Sequence, residues 1–273
     1  MTELAQKVLQ DLVEAIDNDD LVLPTLPEVA MQIRQAAEDP EISVSSLSKV
    51  ISRDAALSAR LIKVVNSPLL RAAQEVTDLH TAITRLGINY SSNLAIGLVM
   101  EQIFNARSEV VQQKMRDVWR SSLEVAGVSY ALCRSYSQLK PDQAALGGLV
   151  HQIGVLPILT YAEDHYELLS DPVSLNHVIE RIHPLLGDKL LRVWEFPEQL
   201  VEIPGHYLNF NRQSPQIDYV DLVQVATLYC HKDTDHPLSR IDAVNVPAFK
   251  KLGIDPENKA MCGDLQASRS MLY

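Results

Sequence analysis

The side chains able to do chemistry in this 273-residue chain are eight histidines, three cysteines and a scatter of serines and carboxylates. Cys133, Cys230 and Cys262 lie far apart and form no CxxC pair. That argues against a disulfide framework or a cysteine-rich zinc site and for a reducing compartment. Ser121 or Ser122, with His151 and an aspartate, could imitate a hydrolase triad. Such a triad needs its nucleophile on a strained turn, and no GxSxG is present to build one. His80, His165, His177, His231 and His236 show no ligand spacing; solvated or capping imidazoles are expected there. Gly147-Gly148 falls inside a helical pattern without GxGxxG or a Walker lysine. Close helix–helix approach is the expected use of these glycines, since nothing around them cradles phosphate.

A basic run is the remaining candidate. On one continuous helix, Lys49, Arg53, Arg60 and Lys63 would share a face, as a helix-turn-helix docked on DNA requires. Asp54 reads as an N-cap, however, and divides the run into Lys49/Arg53 and Arg60/Lys63. The whole chain carries 24 basic and 35 acidic residues, a net charge of −11. Residues 1–41 alone hold ten acids and two bases. Polyanion affinity comes from Lys and Arg neutralising phosphates, so this balance argues against nucleic acid as a partner. Aromatics make up 5% of the chain, too few for base stacking to be a theme.

The elements that would hold these residues are helical. Leu4, Val8, Leu12, Ala15 and Ile16 make an apolar stripe at spacings of three and four. Thr25-Leu26-Pro27-Glu28 reads as a capping box opening a helix with Val29, Ile33 and Ala37 inside, ended by Asp39-Pro40. Ser43 and Asp54 read as the next caps, and the helix from Asp54 stops at Asn66-Ser67-Pro68. A short helix from Thr77 ends at Gly87, a position suited to a C′ glycine. Longer helices are expected over 89–104 and 110–136, and from Pro141 through Ile153 with a kink at Pro157. Others are expected near 174–181, 184–195, 197–207, 217–231, 245–252 and 257–272. Trp119 and Trp194 fall at apolar positions and are expected to anchor the core. No period-two alternation appears, and ten glycines are few for a turn-rich β protein. The N-terminus lacks the basic start and apolar core of a signal peptide. The apolar stretch Leu94–Met100 is far shorter than the ~20 residues of a membrane span. A soluble cytoplasmic protein with no membrane contact is the expectation.

Several segments are more specific than a helical pattern. They are LPTLPEV at 23–29, EDP at 38–40, SLSKVISRDAALSARLIKVVNSPLL at 46–70 and VTDLHTAITRLGINYSSNLAIG at 76–97. After Trp119 follow GGLVHQIGVLPIL at 147–159, HPLLGDKLLRVWEFPE at 183–198 and GHY at 205–207. In this order they resemble the HDOD family, the HD-related output domain of bacterial signalling proteins, across residues 21–235. Ala55 stands where the family's D-P-A-L has proline.

The resemblance implies an all-α, multi-helical protein. An N-terminal helix (1–20) would precede a helical lobe (21–108) packed on an HD-like helical lobe (109–235), followed by a C-terminal segment (236–273). It also implies where HD-type phosphohydrolases place their divalent metal. Ser121 stands for the first histidine ligand and His151-Gln152 for the His-Asp pair. His183 stands for the next histidine, His206-Tyr207 for a His-His pair, and Thr227 for the late aspartate. Both expected carboxylates are missing, so no metal or other cofactor is expected and no catalytic residue is assigned. The alternative is a His-only site in which His151, His183 and His206 hold zinc, manganese or iron with an open position for water. His165, His177, Asp188 and Glu202 are further donors that the sequence does not place.

The leading expectation is a non-catalytic regulatory protein acting through a signalling protein partner. A metal-dependent phosphohydrolase with an eroded ligand set is the alternative, and a nucleic-acid-binding regulator using Lys49, Arg53, Arg60 and Lys63 is the third. Within the 273 residues no room is left for a receiver or cyclase domain, so the input is expected from a separate partner or a small ligand.

Overall fold

A computed structural model describes residues 3–18, 23–68, 70, 74–258, 265–266 and 268–272. Cys262, Arg71 and much of the helical piece expected at 257–272 lie outside these residues. Among the described residues every regular element is helical.

Helix α1, Glu3–Asp17, turns Ala5, Val8, Leu12 and Ile16 inward. The N-terminal lobe consists of α2 (Glu28–Glu38), α3 (Val44–Ile51), α4 (Ala55–Val65), α5 (Leu79–Leu86) and α6 (Ile88–Val99). The caps at Ser43 and Asp54 form as expected, accepting from the Ser46 and Leu57 amides. Asp78, one residue after Thr77, caps α5. The Thr25–Glu28 capping box does not form: Pro27 itself is the N-cap, with no side-chain hydrogen bond. Thr25 is therefore two residues out of register. The inward face of α2 is correspondingly Ala30 and Ile33. Gly87, at φ +85°, turns the chain directly from α5 into α6.

The second lobe comprises α7 (Glu109–Tyr136), α8 (Pro141–Val150), α9 (Val155–Glu163), α10 (Tyr166–Leu169), α11 (Pro172–Val193), α12 (Glu198–His206) and α13 (Tyr219–His231). Its axis is the pair α7 and α8. A Cβ on Gly148 would stand 2.4 Å from Ala126 Cα, and one on Gly147 would stand 2.6 Å from Ile203 of α12. Both glycines thus serve close helix packing. The lobes meet where α6 crosses α8, with Gly97 against Leu149. Trp119 packs on Phe104 and Trp194 on Phe196, both tryptophans buried.

Two prolines behave differently from expectation. The helix from Pro141 breaks at His151–Gly154, and Pro157 sits in the first turn of α9. A missing N–H is harmless there, so Pro157 causes no kink. Pro184 lies inside one continuous α11 and does not divide two helices. The stripe Leu175, Val178, Ile182, Leu186 and Leu190 is buried on both sides of it. That burial outweighs the ~3 kcal/mol cost of an interior proline. Pro141–Glu163 is long and apolar enough to cross a membrane, unlike the shorter Leu94–Met100, but most of it is buried inside the fold.

Segments toward both ends of the chain, among the described residues, pack on these lobes. Helix α1 packs on α11, where Lys189 donates to the Ile16 carbonyl at 2.9 Å. Helix α14, Pro247–Leu252, packs on α13 through an ion pair of Lys251 with the fully buried Asp221. Further on, Ser268 lies over Gly127 of α7, Arg269 pairs with Glu124, and Met271 shares a cavity of about 590 Å³ with Lys63 and Asn66 at the end of α4. The C-terminal segment therefore touches both lobes.

Candidate functional site

The break after α8 places His151. The chain passes from Val150 to Val155 in consecutive turns, and Gly154 brings that passage against α11. A Cβ on Gly154 would stand 2.0 Å from the His183 carbonyl and 2.5 Å from the Gly187 amide. Gly187 in turn abuts Pro204 of α12. Tyr207, the C-cap of α12, is carried in between the two histidines.

The resulting cluster is tight and dry. His151 is fully buried, and His183 and Tyr207 are each 2% exposed. The His151 ring meets the Tyr207 ring edge-on at 4.8 Å, and the His183 ring lies 5.6 Å from it. The Tyr207 hydroxyl and His183 Nε2 share a hydrogen bond at 3.3 Å, and the Gln152 side chain reaches the same hydroxyl. His151 Nδ1 lies 2.7 Å from the Gly148 carbonyl. A carbonyl only accepts, so Nδ1 carries the proton and Nε2 presents a bare lone pair. That Nε2 has no partner, nor do His183 Nδ1 and Thr227 Oγ1.

Burial decides the charge state. Desolvation pushes His151 down to about 3, helped by the charges of His183 and His231. It pushes His183 down to about 4, and it raises the Tyr207 phenol above its ordinary value. All three groups are neutral at pH 7. His231, which sequence spacing did not single out, is itself pushed down to about 4 by burial and by its stacking partner His236, 3.9 Å away.

The other candidates disperse. His206 is exposed at the end of α12, so His151, His183 and His206 do not converge. Ser121 is half-buried and Thr227 buried. Ser122 is buried, but His151 Nδ1 faces a carbonyl where a triad would require a carboxylate. His80 and His165 are exposed, and His177 is half-buried. Asp188 is engaged by Arg192, and Glu202 is exposed. Among the described residues, no group of three or more His, Cys, Asp or Glu side chains could hold a metal ion.

The HD-type metal therefore does not fit this donor set. His151 Nε2 and His183 Nδ1 are the imidazole nitrogens without partners, His183 Nε2 is bound to a phenol, and among the described residues no carboxylate joins them in a ligand group to balance a divalent charge. The basic residues are likewise divided. Arg60 is bound to Glu101 and the Leu98 carbonyl, Arg53 donates to Gln32, and Lys49 and Lys63 are exposed on separate helices.

Comparison with known proteins agrees with this architecture. The HDOD domain profile matches residues 23–208. A structure from Shewanella amazonensis SB2B, described as a "Putative metal-dependent phosphohydrolase", superposes with a TM-score of 0.87 at 28% identity over 100% of both chains. An HDOD domain protein with unknown function from Geobacter sulfurreducens gives 0.66 at 19% identity over 99% of both. An uncharacterized protein of Treponema pallidum (strain Nichols) is 24% identical over 71% of this chain, which spans 38% of that protein's length.

Proposed function

The chain belongs to the HDOD family, and on that premise we propose that it is a regulatory, signal-transducing protein of the cytoplasm that acts by binding another protein. In this reading it keeps the HD-type helical framework without metal-dependent hydrolysis. One observation carries the proposal. The position where HD chemistry needs a carboxylate-balanced cation holds two neutral histidines about a buried tyrosine. Gln152 and Thr227 stand for the acids. Cys133 and Cys230, free and buried, are compatible with a reducing compartment.

The test is metal content and turnover together. Protein purified without chelator or tag is measured by mass spectrometry, then assayed with bis(p-nitrophenyl) phosphate and added Mn²⁺. The expected result is substoichiometric metal, unchanged in His151→Ala, and no hydrolysis above the variant. Near-stoichiometric zinc, manganese or iron that disappears in His151→Ala, with turnover, overturns the proposal in favour of a phosphohydrolase.

A further inference from the structure

A pocket of about 170 Å³ lies on the seam between the lobes, away from the histidine pair. Its walls are apolar, from Leu26 before α2, Ile96 on α6, Leu146 on α8 and Phe196 after α11. Four separate segments from both lobes thus meet at one small hollow. Pockets for drug-sized ligands start near 300 Å³, so this one is sized for a single side chain.

Its polar lining combines Arg34, Asn93 and Gln143 with the carboxylates of Glu38 and Glu195. Arg34 reaches in from α2 but is already spent: it donates to the Trp194 carbonyl and pairs with Glu195 at 3.1 Å. Asn93 gives one of its two amide N–H groups to Asp142 at 2.6 Å and also carries a carbonyl oxygen that accepts. Glu38, one turn beyond Arg34, is exposed and forms no ion pair among the described residues. With Arg34 neutralised by Glu195, the Glu38 carboxylate leaves the pocket one negative charge in excess.

Glu195 adds a second observation. It is the C′ residue of a Schellman motif closing α11: its amide donates to Arg192 and the Phe196 amide to Leu191. Its φ is +54°, the left-handed region where glycine is the ordinary choice. The backbone cost places a carboxylate at the pocket mouth, with its side chain 80% exposed.

We propose that this interlobe pocket is a socket for one long basic side chain, an arginine or lysine, presented by a protein partner. The apolar walls would take the methylene stem, and Glu38 and Glu195 the charged head. An anionic occupant is disfavoured because Arg34, the one cation among the described lining residues, is committed and the rim is acidic. This inference rests on the reading of the chain as a partner-binding regulator and names the chemistry of that partner.

The test uses ¹⁵N-labelled full-length protein and N-acetyl-arginine amide as probe, followed by amide chemical shifts at low salt. N-acetyl-norleucine amide supplies an uncharged stem of similar length. The expected result is saturating shifts confined to Leu26, Ile96, Glu195 and Phe196, at millimolar affinity for the arginine probe. Glu38→Gln should weaken binding about tenfold, 0.5 M salt should weaken it further, and Gln143→Trp should abolish it by filling the pocket. No saturating shift at these residues overturns the socket. Equal binding of both probes, unchanged in Glu38→Gln, also overturns it and leaves an uncharged hollow. Metal content and turnover remain separate readouts: a metal-loaded, hydrolytic protein that still binds the probe would refute the regulatory reading and keep the socket.

Discussion

Acidification from pH 7 to pH 5 should remove about 4 kcal/mol of folding stability through two residues. The ordinary histidine pKa is 6.5, and His151 and His183 are held at about 3 and about 4 in the fold. For a histidine depressed in this way, the unfolded chain binds the proton first. Its contribution is complete above pH 6.5 and is lost as pH falls from there toward the folded value. At pH 5 the unfolded chain is 1.5 units below its pKa while both folded sites are still neutral. At ~1.36 kcal/mol per unit, each site forfeits about 2 kcal/mol. The figure at pH 5 depends only on both folded values lying below 5. His231, also held at about 4, acts in the same direction. Asp221, whose carboxyl burial pushes up despite Lys251, acts in the opposite one. Urea unfolding followed by circular dichroism at pH 5, 6, 7 and 7.5 measures the slope. His151→Gln, whose amide can still reach the Gly148 carbonyl, should remove about half of the two-site contribution. Tyr207→Phe, which keeps both imidazoles, should retain the slope at lower overall stability. A stability that stays level from pH 7 to pH 5, or a slope unchanged in both His151→Gln and His183→Gln, would refute the reasoning.

Glycine substitutions should separate the site from its surroundings. Gly154→Ala drives a Cβ into the His183 carbonyl and should cost about 3 kcal/mol or more; Gly205→Ala, with nothing within 4 Å, should stabilise α12 by up to about 1 kcal/mol. Melting temperatures moving together would contradict that contrast. At Glu195, replacement by glycine relieves a left-handed conformation worth about 1 kcal/mol and gives up an exposed ion pair worth less. Glu195→Gly should therefore be at least as stable as the parent, and Glu195→Ala about 1 kcal/mol below Glu195→Gly. An alanine variant as stable as the glycine variant would rule out backbone strain at this position.

The helices were legible where a cap and a stripe agreed. Ser43, Asp54 and the α1 stripe each paired a local hydrogen bond with a buried face. Local signals failed where tertiary packing overrode them: Pro184 looks like a boundary until the burial of Ile182 and Leu186 on either side is known. At the site, the motif order indicated His151, His183, Tyr207, Gln152 and Thr227, but spacing contains no information about which way a side chain points. His206 and Tyr207 are adjacent in sequence, yet one is exposed and the other is 2% exposed between two imidazoles. His231 and the Arg34–Glu195 pair were not legible, because each acts across more than 70 residues of chain.

The contrast between His151 and its neighbours explains why the carboxylates matter more than the histidine count. His151 retains the orientation of a ligating imidazole, with its Nδ1–H held by a backbone carbonyl and its Nε2 lone pair bare. Orientation alone does not hold a divalent ion in a dry site. A buried cation among neutral donors carries an uncompensated charge that costs several kcal/mol. Paired carboxylates would remove that cost; a neutral glutamine such as Gln152, next to His151, does not. Tyr207 relieves the complementary difficulty, because its hydroxyl partners His183 Nε2, which would otherwise be buried without a hydrogen bond. Of the two imidazoles, the phenol serves His183 alone, and His151 Nε2 stays without a hydrogen-bond partner.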